Sequence, residues 1–293
     1  MKEFSLCVMS RKGLFVLKAL IQKGYTEQID KVVIAHDHNM ANDYYEEMLD
    51  VCNKAGICVH DRTEKVTICS PYCITIAWRW LIPLQENTRL IVFHDSLLPK
   101  YRGFAPLVNM LINKEPYVGV TALHASEEYD KGDIIDQRKV AVAYPIKISD
   151  AIDLVTPLYS ELVCGIFCRI IDKELLPAIP QNEEESSYSL WRDEEDYHID
   201  WYHYSEDILQ FIYSVGFPFK GAYSKVGDSI VRILDAEIIS DVKIENRQPG
   251  KVVFLQNGMP IVVCGKGLLK ITSAFNEEGQ NILPMRKFRV RFE

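Results

Sequence analysis

At 293 residues, 48% hydrophobic and 25% charged, the chain has the composition of a globular protein and the length of one large domain with a smaller companion. Its net charge of −8 and its single short basic cluster, Arg286-Lys287-Phe288-Arg289-Val290-Arg291, disfavour a nucleic-acid partner, because neutralising phosphates supplies most of such affinity. No run approaches the ~20 uninterrupted apolar residues of a membrane span, and Met1-Lys2-Glu3-Phe4 leads into a strand rather than a secretion signal. A cytoplasmic protein with no membrane partner is expected.

Residues 4–9 form a short apolar run. The polar turn Ser10-Arg11-Lys12-Gly13 follows, then a helical stripe of Leu14, Leu17, Leu20 and Ile21 that Gly24 stops. Residues 31–36 read as a second strand, 42–54 as a helix ending at Gly56, and 73–78 and 90–93 as two further strands. Such alternation predicts parallel strands covered by helices on both faces and joined by right-handed crossovers. A helix over 104–113 and strands over 118–124 and 133–142 come next. A long helix over 150–172 follows, with Ser149 as its cap and Pro157 as an expected kink or boundary.

The polar run 181–187 is the linker candidate. Past a helix at 208–215, strand-like segments at 222–225, 230–239, 251–254, 261–264 and 268–272 are separated by turns such as Asn257-Gly258. The basic tail, interleaved with Phe288 and Val290, reads as a last strand with one solvated face. The expected architecture is α/β: a first domain with a largely parallel sheet over 1–180, a linker over 181–205, and a small β-rich domain or barrel over 206–293.

Of the eight cysteines, Cys7, Cys164, Cys168 and Cys264 fall at apolar core positions, and Cys69 and Cys73 flank Ser70-Pro71-Tyr72 with no second ligand pair. Neither disulfides nor zinc is expected. His36-Asp37-His38 has the residue types of metal ligands but no distant partner, so no metal is assigned.

The most telling segment runs from Leu90 through Phe93 into His94-Asp95-Ser96-Leu97-Leu98-Pro99-Lys100-Tyr101-Arg102-Gly103. A buried strand of a parallel sheet that ends on a histidine and an acid marks a working site, because ligands collect at the carboxyl ends of such strands. Asp130, in the acidic turn Ser126-Glu127-Glu128-Tyr129-Asp130-Lys131-Gly132, reaches the same edge if the two strands are parallel neighbours. A carboxylate beside an imidazole fixes its orientation for donating to a developing oxyanion, and can itself take a proton from a nucleophile. Asp133 is the competing acid.

These blocks resemble the signature of formyltransferases that use N10-formyltetrahydrofolate. The resemblance extends through Gly119-Val120-Thr121, Ile199-Asp200-Trp201, Phe217-Pro218-Phe219-Lys220-Gly221-Ala222-Tyr223, Pro249-Gly250-Lys251-Val252 and Val263-Cys264-Gly265-Lys266-Gly267. It implies a Rossmann-like folate-binding domain, with His94 stabilising the oxyanion and Asp130 supporting it and accepting the amine proton. It also implies that the pterin lies against Trp80-Leu81-Ile82-Pro83 and the turn Glu127-Glu128-Tyr129-Asp130. One departure stands out: the family has an asparagine two residues before the histidine, and this chain has Val92. Side-chain alternation puts 92, 94 and 96 on one face of an extended segment, which makes Ser96 the leading substitute donor.

The acceptor is either an amino sugar on a nucleotide or methionyl-tRNA. Residues 36–47, which correspond to a basic insertion in the tRNA enzymes, hold four acids and no Lys or Arg. Trp78-Arg79-Trp80-Leu81-Ile82 is similar to the equivalent segment of the aminoarabinose formyltransferase domain. A nucleoside-diphosphate amino sugar, of the 4-amino kind, is therefore the expected substrate. Arg79, the Ser10-Arg11-Lys12 helix start and Tyr101-Arg102-Gly103 are its candidate binding residues. A homodimer is the candidate assembly. A folate- or nucleotide-binding protein with an impaired site remains the rival reading.

Overall fold

The computed structural model describes residues 2–37, 40 and 42–293, so His38 of the candidate metal ligands, and Asn39 and Ala41 of the acidic stretch, lie outside the described residues. In chain order, β1 (Phe4–Val8), α1 (Ser10–Gln22), β2 (Ile29–Ile34), α2 (Tyr45–Lys54), β3 (Val59–Asp61), β4 (Tyr72–Ile76) and β5 (Arg89–His94) largely alternate as expected. Then come β6 (Arg102–Gly103), α3 (Pro106–Ile112), β7 (Tyr117–His124), β8 (Ile134–Ala141), α4 (Ile148–Ile171) and β9 (Tyr188–Ser189). The main sheet has the order β3-β2-β1-β4-β5-β7-β8. Strands β1 to β5 are parallel, β7 runs antiparallel to β5, and β8, antiparallel to β7, returns to the direction of the first five.

Register sorts the side chains into two faces. Cys7, Thr75 and Val92 are neighbours across β1, β4 and β5, and His94 follows two residues on along β5. The opposite face carries Phe4 and Phe93, which stack on Phe167 (centroids 3.7 Å apart) and Tyr159 (5.7 Å) of α4. By length and composition α4 would suffice to cross a membrane, although charged residues such as Asp150 and Arg169 keep it from being an unbroken apolar run. Half of its most apolar window is buried, and the stacking makes it a core helix. Pro157 sits inside an unbroken α4 and marks no boundary.

The chain divides into two compact units. The first comprises the chain up to Pro106, with Tyr117–Ala141 and Ile152–Leu190; the second comprises Leu107–Pro116, Val142–Ala151 and Trp191–Glu293. Residues 181–190, expected as linker, thus belong to the first unit. The physical reason is Arg102, which is fully buried and bonds Gln181, Glu183 and Tyr188, while β6 pairs with β9.

In the second unit, α5 (Ser205–Ser214) accompanies β10 (Ala222–Val226), β11 (Ser229–Ile239), β12 (Val252–Gln256), β13 (Met259–Val263) and β14 (Leu268–Asn276). The sheet is antiparallel, in the order β10-β11-β14-β13-β12. The basic tail is not a regular strand. It hydrogen-bonds Gly250 and Val252 on one side and Lys225 on the other, joining the edges of β12 and β10 into a closed barrel. Its buried anchor is Phe292 against Trp201, while Phe288 stays exposed.

All eight cysteines are free thiols, and Cys168, expected in the core, is exposed.

Candidate active site

His94 ends β5 and is buried. Its Nε2 lies 2.7 Å from the Tyr101 carbonyl. A carbonyl only accepts, so Nε2 carries the proton and Nδ1 is left to face the site. The loop that returns to Tyr101 is closed by hydroxyls. Ser96 Oγ donates to the Lys100 carbonyl at 2.6 Å, and Thr121 Oγ1 donates to the Ser96 carbonyl at 2.7 Å. Thr121 also accepts from Leu98 N–H at 3.1 Å and Gln137 Nε2 at 2.8 Å.

This corrects the expectation for Ser96. The chain bends directly after His94, strand alternation stops there, and the fully buried hydroxyl is spent on its own loop.

Asp130 reaches His94 by a different route from the expected one. β7 is antiparallel to β5, so its end points away from the His94 edge, and the loop after it doubles back. Asp130 Oδ1 then lies 3.5 Å from His94 Nδ1, and Asp130 Oδ2 accepts the Gly103 N–H at 2.8 Å. Gln181 Nε2 clamps the turn by donating to the carbonyls of Asp130 (2.7 Å) and Gly132 (2.8 Å). Only glycine fits at 132, where a Cβ would stand 1.7 Å from the His124 carbonyl oxygen. Thr121 belongs to a block that carries the resemblance, whereas nothing in the sequence marks Gln181 or Gln137 as site residues. No local pattern marks a residue whose partners lie 16 to 79 positions away.

Most of the expected nucleotide-binding residues are occupied within the chain. Arg102 is sealed under Gln181 and Glu183, so it positions the strap instead of meeting substrate. Lys12 pairs with Asp95, whose other oxygen accepts the Tyr159 hydroxyl at 2.7 Å. Burial alone would raise the Asp95 carboxyl, yet the Lys12 ammonium, helped by Tyr159 and His94, holds it below the usual carboxylate range. Burial and the Asp95 charge push the Tyr159 phenol up. Arg11 pairs with Asp153 of α4, Ser10 opens α1, and Tyr101 and Gly103 serve His94 and Asp130 through their backbones. Arg79 is held bidentately by Asp37 at 2.5 and 3.2 Å while its side chain stays half exposed. Of the metal-ligand candidates, His36 Nδ1 bonds Asp43 at 2.7 Å.

The loop at 78–84 packs Trp78, Ile82 and Leu84 over Cys7, Val33, Ile68 and Cys73, on the sheet face that carries His94. Trp80 meets Trp78 edge-on at 5.2 Å, with the Arg62 guanidinium 4.2 Å from its ring centroid. Leu81 is 91% exposed and Tyr129 82%, with Pro83, Glu127 and Glu128 also exposed, and the buried Trp78 Nε1 has no partner. Apolar surface with an unpaired donor suits a flat heterocycle, so these residues fit a pterin.

A largely parallel sheet with a His–Asp pair at the carboxyl end of β5, in one chain with an antiparallel β-barrel unit, makes this a two-unit α/β protein. Family profiles agree: "Formyl transferase" matches residues 66–151 and "Formyl transferase, C-terminal domain" matches 192–292. The chain belongs to the formyl transferase family.

A methionyl-tRNA formyltransferase of Ralstonia nicotianae is 27% identical over 223 residues, 74% of this chain and 67% of that protein. An N-formyltransferase of Helicobacter canadensis, solved with folinic acid and dTDP-3-aminofucose, superposes with a TM-score of 0.66 at 16% identity, covering 94% of this chain and all (100%) of that one. HypX of Aquifex aeolicus with tetrahydrofolic acid gives 0.65 at 18% identity over 96% of this chain, which spans under half (45%) of HypX.

Proposed function

We propose that the protein transfers a formyl group from N10-formyltetrahydrofolate to the amine of a nucleoside-diphosphate-linked amino sugar. The 4-amino deoxysugars destined for surface polysaccharide or glycoprotein are the first candidates, and the cytoplasm is the compartment of the reaction. The observation that carries this reading is the His94–Asp130 pair, 3.5 Å apart on the sheet face covered by the 78–84 loop.

The donor supplies an electrophilic formyl carbon: the amine nitrogen bonds to it, negative charge passes through the formyl oxygen, and the bond to folate N10 breaks as N10 takes up the proton that the amine gives up. His94 is suited to meet that charge. The Tyr101 carbonyl fixes its ring through Nε2, and in the doubly protonated form of the ring Nδ1, beside Asp130, donates to the oxygen. Asp130, held by Gly103 N–H, has its other oxygen available to take the amine proton. The residues at 80–83 and 127–129 offer the donor exposed apolar and main-chain contacts.

Methionyl-tRNA is the second reading, favoured by the Ralstonia relative. The absence of any Lys or Arg over residues 36–47 argues against it, because cations supply most of the affinity for phosphates. Formyl release measured on a panel of amino-sugar nucleotides and on methionyl-tRNA separates the two. Turnover on the tRNA alone would overturn the sugar reading, and donor binding without any turnover would establish an impaired site.

A further inference from the structure

Both ring nitrogens of His94 are engaged, Nε2 by the Tyr101 carbonyl and Nδ1 by its neighbour Asp130. An oxygen gaining negative charge beside that pair needs another hydrogen-bond donor, and Val92, the next residue down the same face, has none. Three side-chain hydroxyls stand nearby. Ser96 donates to the Lys100 carbonyl and Thr121 to the Ser96 carbonyl, so neither proton is free.

The third is Thr75. Register sets it directly beside Val92 on the adjacent strand β4, hence on the face of His94 and about 4.8 Å across from Val92. Thr75 is 6% exposed, yet its hydroxyl makes no hydrogen bond among the described residues, and the oxygen is not sealed among the unsatisfied buried atoms. Val92 itself is only partly buried, so the surface above the pair is open. A threonine in the middle of an apolar parallel sheet carries a desolvation cost that valine would avoid, unless something binds its hydroxyl.

The geometry points to Thr75 as a catalytic residue, its hydroxyl donating to the formyl oxygen of the donor as charge gathers there. This rests on the formyl-transfer reading above. It assigns the donor role to β4, and not to the loop after His94.

Two measurements test it. In steady-state transfer, Thr75→Val should lower kcat by about 10²-fold with little change in the donor KM, the loss typical of one oxyanion donor. Thr75→Ser should retain most of the rate, and Val92→Asn placed in the Thr75→Val background should restore much of it, because the amide would reach the same oxygen. Thr75→Val turning over like the wild type would overturn the assignment.

The second readout needs no acceptor. With a stable formylfolate analogue carrying ¹³C at the formyl carbon, infrared difference spectra of the bound state should show the carbonyl stretch moving to higher frequency in Thr75→Val. An unchanged frequency would also overturn the assignment. If the wild type forms no product with any acceptor, the reaction assigned above fails, while the carbonyl frequency still decides whether Thr75 contacts the formyl oxygen.

Discussion

The Gly103 N–H and the Asp130 carboxylate meet at 2.8 Å, and this bond ties the loop after His94 to the turn that carries the acid. Gly103 adopts φ +98°, and a Cβ there would stand 2.6 Å from the Ser189 carbonyl oxygen. Gly103→Ala must therefore shift either the loop or the β6–β9 strap. It should lose about 1–3 kcal/mol of stability in urea unfolding, and transfer should fall further than stability explains because Asp130 is re-aimed.

His94→Ala and Asp130→Asn should each reduce transfer by about 10²–10⁴-fold, the range for a group that moves or holds a proton in the transition state. Binding of a folate analogue, followed by calorimetry, should change far less. Equal losses in binding and turnover would mean that the pair holds the donor instead of reacting with it.

Asp95 makes stability depend on pH in a definite direction. Its folded-state pKa is depressed, so the Lys12–Asp95–Tyr159 contacts contribute fully above the unfolded-state pKa and are lost as pH falls through the folded value. Asp95→Asn should cost on the order of 3 kcal/mol near neutrality, where it leaves the buried Lys12 without its counter-charge. The difference from wild type should shrink steadily once pH drops below the usual carboxylate range. Thermal melts across roughly pH 2–8 would show a flatter acid limb for the variant.

Arg102→Ala removes the group around which residues 181–190 are folded. Glu183 regains water at little cost because its side chain is 63% exposed, so the loss comes from the sealed arginine and its bonds to Gln181. A destabilisation of about 2–3 kcal/mol is expected. Limited proteolysis should cut first between 181 and 190. Initial cutting elsewhere would show that the strap has other anchors.

Much of the first unit is legible in the chain. Apolar runs separated by helical stripes give β1, β2, β4 and β5 close to their true bounds, and the run into His94 marks the site. Strand direction is not legible: β7 has the same alternation whether it pairs parallel or antiparallel, and the Asp130 loop reaches His94 only by doubling back. Charge in a loop was equally ambiguous. Arg102 and Lys12 look like solvated cations until partners 81 and 83 residues away enclose them. Thr75 carries no motif at all, and only the pairing of β4 with β5 brings it beside Val92. The barrel's strands are readable from their turns, but the role of the tail in closing it depends on two edges that meet only in three dimensions.

Gln181 fastens the backbone on either side of Lys131, yet it lies outside both segments that the family profiles match, 66–151 and 192–292. The signature residues and the residues that give them their shape are thus different stretches of chain. A fragment stopping at residue 180 would keep every group expected to react, and its acid would lose the clamp that aims it. Relatives with a matching signature but an unrelated sequence between the two profiles would need another way to hold that turn, and comparing their rates would measure how much of the chemistry depends on a segment that does none of it.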